Sequence, residues 1–179
     1  MTSLDTAQRP LSLAERAAHA LGRPAPREPE KTCLLLDVSG SMADEAEPGV
    51  SRIDALRKVV RGLTAQYIYA FSRGCRRISR ENIPDPQSTT AMAQAFAKIK
   101  SQSITRAVLV TDGLPDDETA ALREAAGLSL EIFYVGPSPK PEFLDRLAHA
   151  AKPGSKAELV SLAAPDLQRR VNLLLSDGR

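Results

Sequence analysis

The stretch LLLDVSGSM, from Leu34 to Met42, shows most directly how this chain folds. It belongs to the run TCLLLD, whose continuous apolar residues are typical of a strand that is buried on both faces. Asp37, Ser39 and Ser41 then follow at every second position, so three oxygen-bearing side chains can converge at the end of this strand. A strand of this kind favours a parallel sheet that is covered by helices.

Strand-like and helix-like patterns alternate along the rest of the chain, which predicts an α/β fold. We expect a doubly wound, mostly parallel six-stranded Rossmann-like sheet flanked by helices, with one short antiparallel edge strand. The predicted strands are 32–37, 66–72, 75–79, 106–112, 130–136 and 157–162, and the predicted helices are 51–63, 90–100, 115–127, 139–152 and 164–176.

Length and composition are those of one globular domain, with 179 residues, 42% of them hydrophobic and 26% charged. The pattern LSLAERAAHALGR and the Pro-rich segment after it predict a short helix and a linker in residues 1–29, followed by the main domain at 30–179. A net charge of +2 and the absence of Trp argue against nucleic acid as a partner. No transmembrane run or signal peptide is visible, and two cysteines make no disulfide framework, so we expect no membrane partner and a cytoplasmic location.

A second apolar run, AVLVT, also ends in an aspartate, Asp112. Because the carboxyl ends of parallel strands meet at one edge of a sheet, Asp37 and Asp112 are expected to lie close together. The segment PDPQSTT adds Ser88, Thr89 and Thr90 at the start of a helix. Carboxylates and hydroxyls suit a hard cation, namely Mg²⁺, Mn²⁺ or Ca²⁺. The alternative is that each aspartate caps the following helix and that Ser-Gly-Ser forms an ordinary turn.

The motif DVSGS resembles the D-x-S-x-S motif of von Willebrand factor A (vWA) domains, and the threonine-bearing loop and TDG follow in the family's order. The resemblance extends over about residues 31–176, since the order of strands and helices also agrees. It implies a metal-ion-dependent adhesion site, with Thr89 as a rival for the loop threonine because the family's usual glycines are replaced there. The ligands that the resemblance implies are Asp37, Ser39, Ser41, Thr90 and Asp112.

In function, the resemblance implies a non-enzymatic intracellular adaptor or scaffold that binds the Asp or Glu of a protein partner through the cation. Such modules often work beside ATPases of the MoxR type, which are therefore a possible partner. One alternative is a structural subunit whose metal site only stabilises the fold. A less favoured one is a Mg²⁺-dependent aspartyl-phosphate phosphatase with Asp37 as nucleophile; Ser39 stands where such an enzyme needs a general acid.

Two charged segments remain. The acidic segment ADEAEPG, residues 43–49, predicts a solvated loop or a group that tunes the open metal position. The segment SRGCRRISRE contains four arginines, which indicate either contacts with an acidic partner or an edge strand protected by charge. These arginines are Arg73, Arg76, Arg77 and Arg80.

Overall fold

A computed structural model describes residues 30–87 and 89–176. Its secondary structure agrees with the alternation predicted from the sequence. The strands are β1 (Thr32–Asp37), β2 (Glu45–Glu47), β3 (Val50–Ser51), β4 (Ile68–Phe71), β5 (Cys75–Ile78), β6 (Arg106–Thr111), β7 (Ser129–Tyr134) and β8 (Lys156–Leu159). The helices are α1 (Arg52–Arg61), α2 (Met92–Ser101), α3 (Glu118–Ala125), α4 (Glu142–Ala150) and α5 (Leu167–Ser176), with a short 3₁₀ helix at Gly40–Ala43.

The main sheet has six strands in the order β5-β4-β1-β6-β7-β8. All neighbouring strands are parallel except the edge strand β5, which runs antiparallel to β4, so the predicted sheet is confirmed. The chain passes from β1 to β4 on one side and later returns to β6 on the other side of β1. The strand order therefore reverses between β1 and β6, which is where ligands bind in open α/β sheets.

Two apolar cores cover the two faces of the sheet, since successive strand residues point to opposite faces. On β1, Leu35 packs with α2, α3 and α4, whereas Leu34 and Leu36 pack with α1 and α5. The four buried residues Cys33–Leu36 have no exposed surface, as the continuous apolar run predicts. The strand is thereby held from both faces, and its last residue has a well-determined position.

Helix α1 begins where its capping signal predicts, because the Ser51 hydroxyl accepts a hydrogen bond from the Asp54 backbone N–H at 3.2 Å. Helix α3 differs from the prediction, which placed Pro115 near its first turn. The helix begins at Glu118, because Asp117 is the cap and its Oδ1 accepts from the Ala120 backbone N–H at 2.9 Å.

The acidic segment after the 3₁₀ helix is not the predicted loop but a small antiparallel hairpin of β2 and β3. Gly49 has a φ of 77°, which lets the chain reverse between the two strands. The predicted N-terminal helix and linker at 1–29 lie outside the described residues, as do Ser88 and residues 177–179. Within the described ranges, none of the helices has the length and apolar character needed to cross a membrane.

Candidate functional site

The two aspartates of the candidate site lie at the same edge of the sheet. Asp37 is the last residue of β1, and Asp112 directly follows β6. The parallel register pairs Leu36 with Val110, which brings both strand ends to the same level. Asp37 has 0% and Asp112 has 5% of its surface exposed, so both carboxylates are withdrawn from water.

Asp37 accepts a hydrogen bond at each carboxylate oxygen. The Ser39 backbone N–H donates to Oδ1 at 2.8 Å, and the Thr111 hydroxyl donates to Oδ2 at 2.5 Å. Burial raises the pKa of Asp37 to about 6, although the hydrogen bonds from Thr111 and Ser39 act in the opposite direction. No basic side chain of the described ranges forms an ion pair with Asp37. A cation bound beside it would therefore offset a real electrostatic cost.

A row of oxygen atoms connects the loop after β1 with the end of β6. The hydroxyls of Ser39 and Ser41 lie 3.2 Å apart, and the Ser41 hydroxyl donates to Asp112 Oδ1 at 2.7 Å. Because the Ser41 hydroxyl donates to the carboxylate, Ser39 is the donor in the contact between the two serines, and one lone pair of the Ser41 oxygen stays available for a cation. Four of the five predicted ligands, Asp37, Ser39, Ser41 and Asp112, are thus brought together.

The oxygens of this row are joined by hydrogen bonds, so their distances of 3.2 Å and 2.7 Å are those of hydroxyl contacts and select no particular ion. The described residues include no cluster of three or more His, Cys, Asp and Glu that could hold a metal, so a cation at this edge would also need the serine hydroxyls as ligands. Hydroxyls and carboxylates are hard ligands, as Mg²⁺ prefers.

The fifth predicted ligand, Thr90, belongs to a loop that is bonded to the segment after β6. Its backbone N–H donates to Asp116 Oδ1 at 2.9 Å, and the Asp116 backbone N–H donates back to the Thr90 carbonyl at 3.1 Å. The hydroxyl of its rival, Thr89, is buried and has no hydrogen-bond partner among the described residues. Such an orphaned oxygen is a feature expected of an incomplete coordination shell, so both threonines remain candidates.

The loop after β1 is also bonded to the threonine-bearing segment. The Gln87 backbone N–H donates to the Val38 carbonyl at 2.8 Å, and Ser39 and Gln87 form a parallel bridge. On the other side of this segment, the Ala91 backbone N–H donates to the Ser72 carbonyl, which follows β4, at 2.7 Å. Main-chain bonds thus hold the three loops of the site against each other.

Arg52, the first residue of α1, belongs to the site although it was not predicted from the sequence. Its Nη1 lies 2.8 Å from Asp112 Oδ2 and 3.0 Å from the Ser41 carbonyl, and it reaches Asp44 at 3.4 Å. A signal for it exists, because a basic residue in the first turn of a helix is opposed by the helix dipole. A basic side chain in this unfavourable position indicates that an acidic group elsewhere in the fold compensates its charge.

Thr111 was also missed. It sits at the end of the apolar strand β6, where a lone threonine is easily read as an ordinary strand residue. The residue is 0% exposed, so its hydroxyl has no contact with water. The hydroxyl donates a hydrogen bond to Asp37 and accepts one from the Gly113 backbone N–H. A buried hydroxyl in an otherwise apolar strand is the signal that could have found it.

The charged segments occupy different places. In the acidic segment, Glu45 and Glu47 are exposed on β2, and Asp44 reaches Arg52. Of the predicted arginines, Arg77 stacks over the Tyr67 ring, and Arg80 donates to the Leu63 carbonyl at 3.1 Å. All four are exposed on or beside the edge strand β5. Their positions agree with protection of a sheet edge by charge.

Comparisons with known proteins identify the fold. No sequence-family profile matches the chain, and no curated protein matches it. The crystal structure of manganese-loaded TRAP protein from Plasmodium vivax superposes with a TM-score of 0.57 and 16% identity, over 83% of this chain and 73% of that chain. A von Willebrand factor type A structure from Catenulispora acidiphila gives a TM-score of 0.59 and 18% identity, over 82% of this chain and 42% of that one. The chain has a vWA-like fold, as predicted.

Proposed function

We propose that this chain is a non-enzymatic protein–protein interaction module that holds a divalent cation, Mg²⁺ or else Mn²⁺ or Ca²⁺, at the carboxyl edge of its sheet. The row of oxygens formed by Ser39, Ser41 and Asp112 beside buried Asp37 is the observation that carries the proposal. A bound cation would supply a Lewis-acid position for the carboxylate of a partner's Asp or Glu. Domains with this fold commonly mediate protein–protein interaction.

The protein's own residues would prepare this position. The hydrogen bonds from Thr111 and the Ser39 backbone orient Asp37, and Asp112 accepts a hydrogen bond from the Ser41 hydroxyl. Ser39, Ser41 and one of the two threonines are neutral ligands, and the charge of Asp112 is already paired with Arg52, so the charge of the ion is incompletely neutralised. An anionic ligand from another protein is the natural complement to such a site.

The surface next to the site supports docking of a protein. Leu114, two residues after Asp112, is 47% exposed, and Val50 at the start of β3 is 39% exposed. Large apolar side chains that are exposed beside a polar centre suit a protein interface, in which an apolar area surrounds the polar contact. Leu173 on α5 is 54% exposed and provides a comparison residue outside these loops.

The surroundings of Asp37 favour binding over catalysis. Both of its carboxylate oxygens accept hydrogen bonds, and the side chain has no exposed surface. A nucleophile for phosphoryl transfer needs an oxygen that can reach the substrate. We therefore propose an adaptor or scaffold inside the cell, with a MoxR-type ATPase as a candidate partner, and expect no phosphatase activity.

The test is affinity capture of partners on the immobilised full chain, in Mg²⁺ and in EDTA. Wild type should retain a partner in Mg²⁺ and release it in EDTA, and Ser39→Ala should fail to retain it. Ser79→Ala is the matched control, because Ser79 is exposed and lies after β5, and it should behave as wild type. Leu114→Ser should weaken capture, whereas Leu173→Ser should not.

A thermal unfolding scan separates this function from a purely structural metal site. In the structural case EDTA lowers the melting temperature, but no partner depends on the ion. Capture that is the same in Mg²⁺ and EDTA, and the same for Ser39→Ala, would contradict the proposed function.

A further inference from the structure

Arg52 makes all of its contacts at the candidate site through one nitrogen, Nη1. This atom contacts Asp112 Oδ2 at 2.8 Å and the Ser41 carbonyl at 3.0 Å. The side chain of Arg52 is 11% exposed and that of Asp112 is 0% exposed, so the ion pair is shielded from water. The Coulomb attraction within such a contact is larger than in a surface ion pair, and the loss of either partner leaves a buried charge unpaired.

The position of Arg52 in α1 is unfavourable by local rules. The residue directly follows the cap Ser51 and therefore lies at the positive end of the helix dipole, where a cation is repelled. Arg57, one and a half turns later, forms exposed pairs with Asp54 and Asp85 at 3.1 Å and 2.6 Å. The two arginines thus share a helix but differ in surroundings, since Arg52 reaches the candidate site and Arg57 does not.

A count of charges shows what Arg52 does to the site. Asp37 and Asp112 together carry two negative charges, which balance one divalent cation. Arg52 adds one positive charge in direct contact with Asp112, and the carboxylate of Asp44, which is 67% exposed, lies 3.4 Å from the same nitrogen. Water screens the charge of Asp44, so with an ion bound the shielded part of the group, without Asp44, keeps one positive charge, and like charges there repel strongly.

We infer that Arg52 is a built-in positive charge that weakens cation binding and strengthens the binding of an anionic partner ligand to the loaded site. This inference rests on the function proposed above. Arg52 also acts as a positioning residue, because its contact with Oδ2 of Asp112 leaves Oδ1 directed at the Ser41 hydroxyl. The site is thereby tuned to bind its ion less tightly and to depend more on the partner's carboxylate.

The test is a calorimetric titration of the full chain with Mn²⁺ in wild type, Arg52→Gln and Arg52→Lys. Arg52→Gln should bind Mn²⁺ at least tenfold more tightly, because the repelling charge is gone. Arg52→Lys should stay within about threefold of wild type, since an ammonium can replace a single-nitrogen contact. Arg57→Gln is the matched control and should not change the affinity.

A purely structural role would have the opposite sign, since loss of a supporting contact weakens metal binding. In the Mn²⁺-saturated proteins, acetate serves as the probe for a partner carboxylate and is followed by line broadening of its proton resonance. Arg52→Gln should need several-fold more acetate than wild type to reach saturation.

Each result is decisive. If wild type binds none of Mn²⁺, Mg²⁺ and Ca²⁺, the proposed function is wrong; an ion that binds in place of Mn²⁺ is used for the same comparison of variants. If wild type binds Mn²⁺ but Arg52→Gln binds it equally or more weakly, the inference about Arg52 alone is wrong. Should Arg52→Gln fail to fold, the double variant Arg52→Gln/Asp112→Asn, which removes both charges of the pair, is compared with Asp112→Asn. The double variant should bind Mn²⁺ at least tenfold more tightly, and equal binding would overturn the inference.

Discussion

The ends of β1 and β6 each present one buried aspartate, but the two carboxylates are stabilised differently. Asp112 is paired with the guanidinium of Arg52 at 2.8 Å. Asp37 has hydrogen bonds from Thr111 and Ser39 but no ion pair within the described ranges. The charge of Asp112 is therefore neutralised by a side chain of the protein itself, whereas the buried charge of Asp37 would be stabilised most by a bound cation. Identical residues at equivalent strand ends therefore have different electrostatic roles.

The largest expected effect comes from matched substitutions of the two aspartates in metal-free protein. Asp112→Asn leaves Arg52 with only the exposed Asp44 as an anionic partner, so the free energy of unfolding should fall by about 3 kcal/mol. Asp37→Asn removes a buried charge that has no cationic partner, and stability should change by less than about 1 kcal/mol or increase. Urea denaturation in EDTA measures both.

Addition of Arg52→Gln to Asp112→Asn is the control for this comparison. Removal of the second charge should restore part of the lost stability, because no unpaired ion is left buried. Equal losses for Asp37→Asn and Asp112→Asn would show that the two strand ends are equivalent after all.

A smaller effect is expected when the Asp112 end is displaced without a change of charge. A Cβ on Gly136 would lie 2.6 Å from the backbone carbonyl oxygen of Asp112, a steric clash that can be relieved only if the backbone moves. Gly136→Ala should therefore lower the free energy of unfolding by about 2 kcal/mol and weaken Mn²⁺ binding. Thermal unfolding and the Mn²⁺ titration report the two effects.

Gly74 is the matched control, because a Cβ there meets no atom within 4 Å. Gly74→Ala should leave stability and Mn²⁺ binding unchanged. A neutral result for Gly136→Ala would mean that the end of β6 can shift, and that the position of Asp112 is not sharply determined.

The Asp37 end can be weakened through Thr111. Thr111→Val keeps the shape of the side chain but removes the hydroxyl that donates to Asp37 Oδ2. The free energy of unfolding should fall by about 1 kcal/mol, since a buried acceptor loses one partner. Urea denaturation at neutral pH provides the measurement.

Thr105, just before β6, offers the control, since its hydroxyl is buried without a hydrogen-bond partner among the described residues. Thr105→Val should be neutral or stabilising. If both valine variants lose the same stability, the bond from Thr111 to Asp37 makes no specific contribution.

The smallest expected effect concerns the alkylation rate of Cys75, which shows whether the substituted proteins keep an intact sheet. Cys75 pairs with Phe71, which pairs with Asp37. Burial raises the pKa of the Cys75 thiol to about 11. Because the thiolate is the reactive form, alkylation should be slow at pH 8 and rise about tenfold per pH unit up to pH 10.

Iodoacetamide labelling followed by mass spectrometry measures this profile. Cys33 is fully buried and its pKa is raised further, so it should not react in the native protein. Fast labelling of Cys75 at pH 7 in any variant would indicate an opened sheet, and stability changes in that variant could not be assigned to the site.

The sheet could be predicted from the sequence because burial on both faces leaves continuous apolar runs. The run that contains Leu34 and the run that contains Leu109 show this most clearly. The hairpin of β2 and β3 could not be predicted in this way, since Glu45–Glu47 is exposed and has no apolar alternation. The turn glycine, Gly49, was its one local signal.

The candidate site was predictable where its chemistry is local. Asp37, Ser39 and Ser41 form one short motif, whereas the bond from Thr111 to Asp37 joins residues 74 positions apart. Arg52 could not be assigned, because its partner Asp112 lies 60 positions away and pattern reading does not pair distant charges. Whether Thr89 or Thr90 completes the site stays a prediction, since neither hydroxyl has a described contact with the other ligands.

The central place of β1 has a mechanical consequence. The motif from Asp37 to Ser41 is the direct continuation of this strand, and β1 is hydrogen-bonded to β4 on one side and β6 on the other. A partner that pulls on the motif would load β1 along its length. Both ladders would then have to shear at the same time, which spreads the force over the middle of the sheet instead of peeling an edge. An attachment point at this position therefore resists traction better than one on an edge strand, which is bonded on one side only.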